Sequence, residues 1–320
     1  MRLTTEQIKS VTFGALSVEE QADGLHFHKC TQKQETAFAA FNSGFFERAK
    51  TTTGVRLDFH TTSKHLAFSA TSGRKFEVYL NNLLRRQFDF DVLRAEGRCA
   101  ELDLTDVLGD KVDDIRVTLV FPSHSIGVLE FVELDDGATL VPHTFDRKIL
   151  FLGDSITQGW NSDYDGFSYA WRVSRFFNAE SVVQGIGGAF FHETVFDTVD
   201  FDPDTVIVAL GTNDFSKFKT TDEMRAHVSA YLSLVASEYA DKKLFVISPI
   251  WRADQEKTMG SFLDAREVVI RETEKLGLRH IDGLSLVPPM EEFMKDGYLH
   301  PNDLGFSLYA ENLIAQMIKN

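Results

Sequence analysis

Cysteine is almost missing from this chain. Cys30 and Cys99 are the only two. They are too few for a disulfide framework, and no Cys-x-x-Cys pair offers a zinc site. No apolar run approaches the roughly 18 residues of a membrane-spanning helix, so no membrane partner is expected. Basic charge is also short: 33 Lys and Arg stand against 48 Asp and Glu, a formal net charge of −15. Such a field repels nucleic acid and anionic membrane surfaces. The one short basic cluster, Arg85-Arg86, reads as part of a solvated hairpin. Met1 to Ile8 lack the apolar stretch of a signal peptide, and a cytoplasmic location is the expectation. Internal repeats and low-complexity segments are absent.

What is present is ordinary globular composition, 43% apolar and 25% charged over 320 residues. That length suits two domains. The first half is rich in short alternating runs: Val55–Phe59, Phe76–Leu80 and Leu83–Phe88, the last two joined by Asn81-Asn82 as in a tight hairpin. Ile115–Phe121 and Ile126–Leu134 flank a Pro122-Ser123 turn, and no long amphipathic helix interrupts these strands. An all-β sandwich of jelly-roll type over residues 1–145 is the reading. From residue 146 to 320 the pattern changes. Nearly continuous apolar runs at Lys148–Leu152, Val182-Val183, Val206–Leu210, Leu244–Ile247 and Leu278–Ile281 alternate with helical spacing at Asp222–Ser237, Phe262–Glu272 and Phe306–Met317. That alternation predicts an α/β domain, a doubly wound parallel five-stranded sheet of flavodoxin-like type.

Four short segments can carry chemistry. Gly153-Asp154-Ser155 follows the first apolar strand, where parallel sheets open onto their ligand crevice; alone it is equally a helix cap. Gly185-Ile-Gly-Gly188 follows the second strand, and glycine lets a backbone N–H approach a ligand. Phe190 breaks the G-x-G-x-x-G spacing of a dinucleotide site. Gly211-Thr-Asn213-Asp214 follows the third strand, and an asparagine amide there can donate to an oxyanion. Asp296-Gly-Tyr-Leu-His300 precedes the last helix and offers a general base.

In this order the blocks resemble the SGNH/GDSL hydrolases, matched here by Gly153-Asp154-Ser155, Gly188, Gly211-Thr212-Asn213-Asp214 and His300. The longer strings Phe151–Gly159 and His300–Gly305 are similar to that family too. The resemblance spans residues 148–317 and implies the SGNH hydrolase fold. It implies Ser155 as nucleophile, His300 as base, Asp296 as the acid, and an oxyanion hole made by Ser155, Gly188 and Asn213, with no metal and no organic cofactor. One departure stands out. The family places its acid three residues before the histidine, and Asp296 lies four before His300. The adjacent Gly187 also blurs the register of Gly188.

Other features read as structural. Gly166-Phe-Ser168-Tyr-Ala170 imitates a nucleophile elbow without a preceding strand. His26 and His28 share a strand face with no third ligand, and Trp160 and Trp251 suit either the pocket border or the core. A sandwich ahead of such a domain is similar to the two-domain carbohydrate (acetyl) esterases. Thr53–Phe59 and Val78–Asn82 are similar to segments of their sandwich domains. This implies a serine esterase of short-chain, acetyl-type esters on an acetylated sugar or oligosaccharide, with a homo-oligomer as one arrangement. The alternatives are a short-chain lipase or thioesterase on the same machinery, and a carbohydrate-binding protein with a relic site.

Overall fold

The computed structural model describes residues 1–105 and 114–319. Asn81 and Asn82 have φ of 47° and 66°, the left-handed values that a two-residue hairpin turn needs and that asparagine tolerates. They close one of the hairpins expected from the sequence. The strands of this half are β1 (Thr12–Phe13), β2 (Ser17–Gln21), β3 (Gly24–His28), β4 (Arg56–Thr61), β5 (His65–Ser72), β6 (Lys75–Leu80), β7 (Leu83–Asp89), β8 (Ala100–Asp103), β9 (Ile115–Val120), β10 (Val128–Leu134) and β11 (Val141–Pro142). One antiparallel sheet runs β1-β4-β9-β6-β7, with β11 also on β4, and the other runs β2-β3-β10-β5-β8. Both contribute to one phenylalanine-rich core. Phe76 there meets Phe90 and Phe121 at ring-centroid distances of 4.9 and 5.2 Å. This is the sandwich.

The outer face of the first sheet is buried as well, against the C-terminal half. Arg56 Nη2 donates to Ala179 O at 3.0 Å, and the Glu77 carboxylate accepts the N–H groups of Asp165 and Gly166 at 2.6 and 3.1 Å. This contact explains why Arg56, Asp58, Glu77 and Thr118 are buried polar residues on a sandwich strand. Uninterrupted strands were expected here, but two consecutive helices, α1 (Gln32–Phe41) and α2 (Ser43–Lys50), stand between β3 and β4. Thr31 caps α1 through a capping box with Gln34. Phe38, Phe45 and Ala49 then bury their side chains in the core of the C-terminal half, not of the sandwich.

The antiparallel strands of the sandwich end at Pro142 and a parallel sheet begins at Arg147. Its strands are β12 (Arg147–Gly153), β13 (Ala179–Gly185), β14 (Thr205–Ala209), β15 (Lys243–Ile247) and β16 (Arg279–Ile281), in the spatial order β13-β12-β14-β15-β16. Side chains alternate with the period of two that a strand imposes. Ile149 and Phe151 enter one core with Tyr169, Val173, Phe306 and Tyr309. Leu150 and Leu152 enter the other with Met224, Val228, Val235 and Val269. Helices therefore cover both faces: α4 (Tyr169–Phe176) and α7 (Asp303–Lys319) on one, α5 (Thr221–Glu238) and α6 (Phe262–Lys275) on the other, with the short turn α3 (Ser155–Gln158) at the end of β12. Strand order and double winding are those of the flavodoxin-like sheet, whose crevice opens where the order reverses, at the C-terminal ends of β12, β13 and β14. Among the described residues no helix is long and apolar enough to cross a membrane.

Candidate active site

Ser155 stands at the end of β12, on the first residue of α3. The turn is tight: a Cβ on Gly153 would fall 2.0 Å from Thr157 Oγ1, so only glycine fits. Asp154 caps the turn, its carboxylate accepting the Ile156 N–H at 2.9 Å. Burial pushes the Asp154 carboxyl up to about 7, and no bond joins it to His300 or Ser155. It shapes the turn.

Ser155 Oγ lies 2.8 Å from His300 Nε2, and His300 Nδ1 lies 2.6 Å from Asp296 Oδ2. The four-residue spacing is absorbed locally. Gly297 takes φ of 71°, Met294 and Pro301 form a β-bridge, and Lys295 N–H donates to His300 O at 2.8 Å. The bulged loop folds over the carboxylate, whose Oδ1 accepts the N–H groups of Tyr298, Leu299 and His300 at 3.0, 2.8 and 3.1 Å. Partial burial works to raise the Asp296 carboxyl, but these N–H groups and the His300 ring outweigh it and hold it below the usual range.

The second and third blocks meet beside this relay. Gly187 N–H is engaged by Gln158 Oε1 at 2.9 Å, whereas Gly188 N–H has no acceptor among the described residues. That difference leaves the Gly188 N–H, and not the Gly187 N–H, open to a ligand. Asn213 Nδ2 donates to Ala189 O at 2.9 Å, and fully buried Asp214 accepts the Phe191 N–H at 3.0 Å. Both residues clamp the Gly188 loop, and burial pushes the Asp214 carboxyl up to about 7. The arrangement can pass a proton from Ser155 to His300 and present neutral donors to an oxygen beside it.

Several contributors had no legible signal in the sequence. Gln158 ties the site to the sandwich, donating through Nε2 to Ser123 O at 2.7 Å while it holds Gly187. Buried Arg252 donates to Thr212 O at 2.6 Å and pairs with Asp254 at 2.8 Å. The loop between β9 and β10 is longer than a two-residue turn and brings His124 to the site. The His124 ring centroid lies 4.9 Å from Trp160, which lies 6.4 Å from His300. The His124 ring itself remains open to solvent. Beyond it a cavity of about 350 Å³ opens between the two halves, lined by Arg74, Lys75, Gln87, Ser162, Asp163 and Asp165 among others.

The remaining candidates fall elsewhere. Trp160 borders the site, and Trp251 packs against the core beneath α7. Ser168 caps α4. His26 pairs with Asp23 at 2.8 Å and His28 with Glu35 at 3.0 Å. Among the described residues His192, Glu193 and His227 do come together. Their imidazole rings stack at 24°, so the in-plane lone pairs run nearly parallel and do not converge on one ion.

Residues 151–308 match the model of the GDSL-like lipase/acylhydrolase family. Those residues form a domain of this family, and the chain is a carboxylic ester hydrolase. No curated protein matches its sequence. Solved structures similar to this GDSL-like hydrolase include a salicylyl-acyltransferase from a tetracycline biosynthetic pathway, 19% identical with a TM-score of 0.80 over 96% of this chain and 94% of that one. A putative GDSL-like lipase from Bacteroides ovatus is 17% identical with a TM-score of 0.76, covering 100% and 98%. A family two carbohydrate esterase from Clostridium thermocellum, in complex with cellohexaose, is 18% identical with a TM-score of 0.66, covering 96% and 98%. At these identities the likeness is one of fold, and it extends over sandwich and hydrolase halves together.

Proposed function

We propose that the chain is a serine esterase that removes short acyl groups, acetyl foremost, from carbohydrate hydroxyls. The observation that carries this reading is the continuous path Ser155 Oγ, His300 Nε2, His300 Nδ1, Asp296 Oδ2, with contacts of 2.8 and 2.6 Å. His300 takes the Ser155 proton as Oγ attacks the ester carbonyl. Asp296 fixes the tautomer that leaves Nε2 free to accept, and it balances the imidazolium that forms. The carbonyl oxygen, becoming an oxyanion, is received by the N–H groups of Ser155 and Gly188 and by the Asn213 amide, each worth about 10²–10³ in rate. His300 returns its proton to the leaving alcohol, and water, activated by the same ring, cleaves the acyl-enzyme. No step calls on a metal or cofactor.

The sugar part of the reading draws on the crevice beside Trp160. A cavity of about 350 Å³ falls at the small end of ligand pockets, about 300–1,000 Å³, and the 39% exposed indole of Trp160 beside His124, which lines it, suits the apolar face of a pyranose. The carbohydrate esterases with the same fold add support. Hydrolysis of p-nitrophenyl acetate, butyrate and octanoate tests it. Acetyl-selective turnover lost in Ser155→Ala is the expected result. Preference for octanoate would replace the sugar reading with a lipase one, and full activity in Ser155→Ala would overturn the mechanism.

A further inference from the structure

Arg48 carries a charge that no carboxylate answers. Among the described residues its guanidinium makes no side-chain hydrogen bond or ion pair, and its Nε–H is buried without an acceptor. Most buried donors in proteins are satisfied, and an unpaired one is a standing cost. The side chain is well placed all the same. Phe45 and Ala49 anchor α2 in the core, the Arg48 carbonyl accepts from Lys29 Nζ at 3.1 Å, and the guanidinium carbon sits 5.0 Å from the centroid of the Phe45 ring. This fixes the group against the oxyanion loop. A Cβ on Gly187 would meet Arg48 Cδ at 2.9 Å, and one on Gly188 would lie 3.8 Å from Arg48 Nη2.

We propose that Arg48 is a carboxylate subsite beside the oxyanion loop, and that the substrate is an O-acylated sugar acid. The inference rests on the esterase reading and narrows its substrate. The ester oxygen already has three neutral donors, so the free charge is available to a second group a few ångström away. A planar guanidinium covered on one face by an aromatic ring offers its edge, the fork that matches a carboxylate. A single unpaired cation balances one carboxylate. Lys29, which also reaches this loop through Gly185 O at 3.2 Å, spends its ammonium on that carbonyl, Arg48 O, Thr51 and Thr53.

The test compares an acetylated methyl glucuronoside with the matching acetylated methyl glucoside. For the wild type, kcat/KM is expected to favour the acid by about ten- to hundredfold, mainly through KM, as a charge-assisted contact predicts. Arg48→Met should bring that ratio to near one and Arg48→Lys should restore part of it, with Arg48→Gln replacing Arg48→Met if the latter does not fold. A wild-type ratio near one, or a ratio kept in Arg48→Met, overturns the proposal. Equal loss on both esters also overturns it, since Arg48 would then be serving the ester oxygen. A second arm needs no turnover: calorimetry of the unacetylated methyl glucuronoside and methyl glucoside with Ser155→Ala, with and without Arg48→Met. If the wild type hydrolyses no ester, the esterase reading fails and this arm decides. Tighter binding of the acid, lost with Arg48, supports the subsite, and equal binding overturns it.

Discussion

Asp296 Oδ2 stands 2.6 Å from His300 Nδ1 although the carboxylate lies four positions before the histidine. The contact survives because the extra residue is taken up in a loop closed by the Met294–Pro301 bridge, with its own N–H groups turned onto Asp296 Oδ1. Two functions thus share one side chain, and they separate by substitution. Asp296→Asn keeps an acceptor for the loop N–H groups but disturbs the His300 tautomer. If the proposed mechanism holds, kcat on p-nitrophenyl acetate is expected to fall by about 10³–10⁴, as in serine triads, with little change in Tm. Asp296→Ala removes the loop acceptor as well and should lower Tm too. Near wild-type kcat in Asp296→Asn would show that another group orients the histidine.

Those two residues also mark where sequence reading stops. The parallel strands were legible because a strand buried on both faces is nearly all apolar, as in Leu150 to Leu152. Three of the four chemical blocks were legible because each directly follows such a strand; the Asp296–His300 block was legible by its place before the last helix. The acid was named, but its ability to reach His300 depends on a glycine at φ of 71° and a bridge across the loop, neither of which spacing reveals. Helices α1 and α2 were missed although Thr31-x-x-Gln34 and the spacing of Phe38, Phe41 and Phe45 are helical signals. A strand-rich background masked a short insertion that packs on the other half of the molecule. Gln158, His124 and Arg252 act through tertiary contacts and leave no local pattern.

Gln158 joins three segments: the Ser155 turn it belongs to, Gly187 of the loop after β13, and Ser123 of the sandwich. Gln158→Ala leaves the buried Gly187 N–H unpaired, at about 1–3 kcal/mol, and strips Ser123 O of one of its two donors, the other being Thr53 Oγ1 at 2.9 Å. Stability is expected to drop by a few kcal/mol in denaturant titration. kcat should fall by about tenfold as the Gly188 N–H loses its fixed position, a misplacement that orientation effects amplify. Unchanged kcat alongside reduced stability would show that the loop holds without this tie.

Trp160 stands between His300 and His124, where the sugar ring of the proposed substrate would lie. Trp160→Ala is expected to raise KM for acetylated sugars by about 2–10-fold, the worth of an aromatic contact, with a smaller effect on p-nitrophenyl acetate. Equal effects on both substrates would place the ring in support of His300 instead.

Asp214 gives the clearest dependence on pH. Its carboxyl is buried, accepts the Phe191 N–H through Oδ1, and leaves Oδ2 without a partner. Burial, with Asp154 adding like charge, raises it from 3.8 to about 7. Between those values the folded chain binds a proton that the unfolded chain has released. The group's contribution is therefore full below about pH 4 and is lost as pH rises toward 7. Asp154, also raised to about 7 by burial, acts in the same direction. Asn at 214 imitates the protonated carboxyl at every pH and can still accept from Phe191. Asp214→Asn should thus match the wild type in Tm near pH 4.5, exceed it at pH 8, and show a flatter Tm profile between. A profile parallel to that of the wild type would mean that Asp214 is ionised in the fold across this range. The clamp on the Gly188 loop would then rest on a buried charge rather than on a neutral acid.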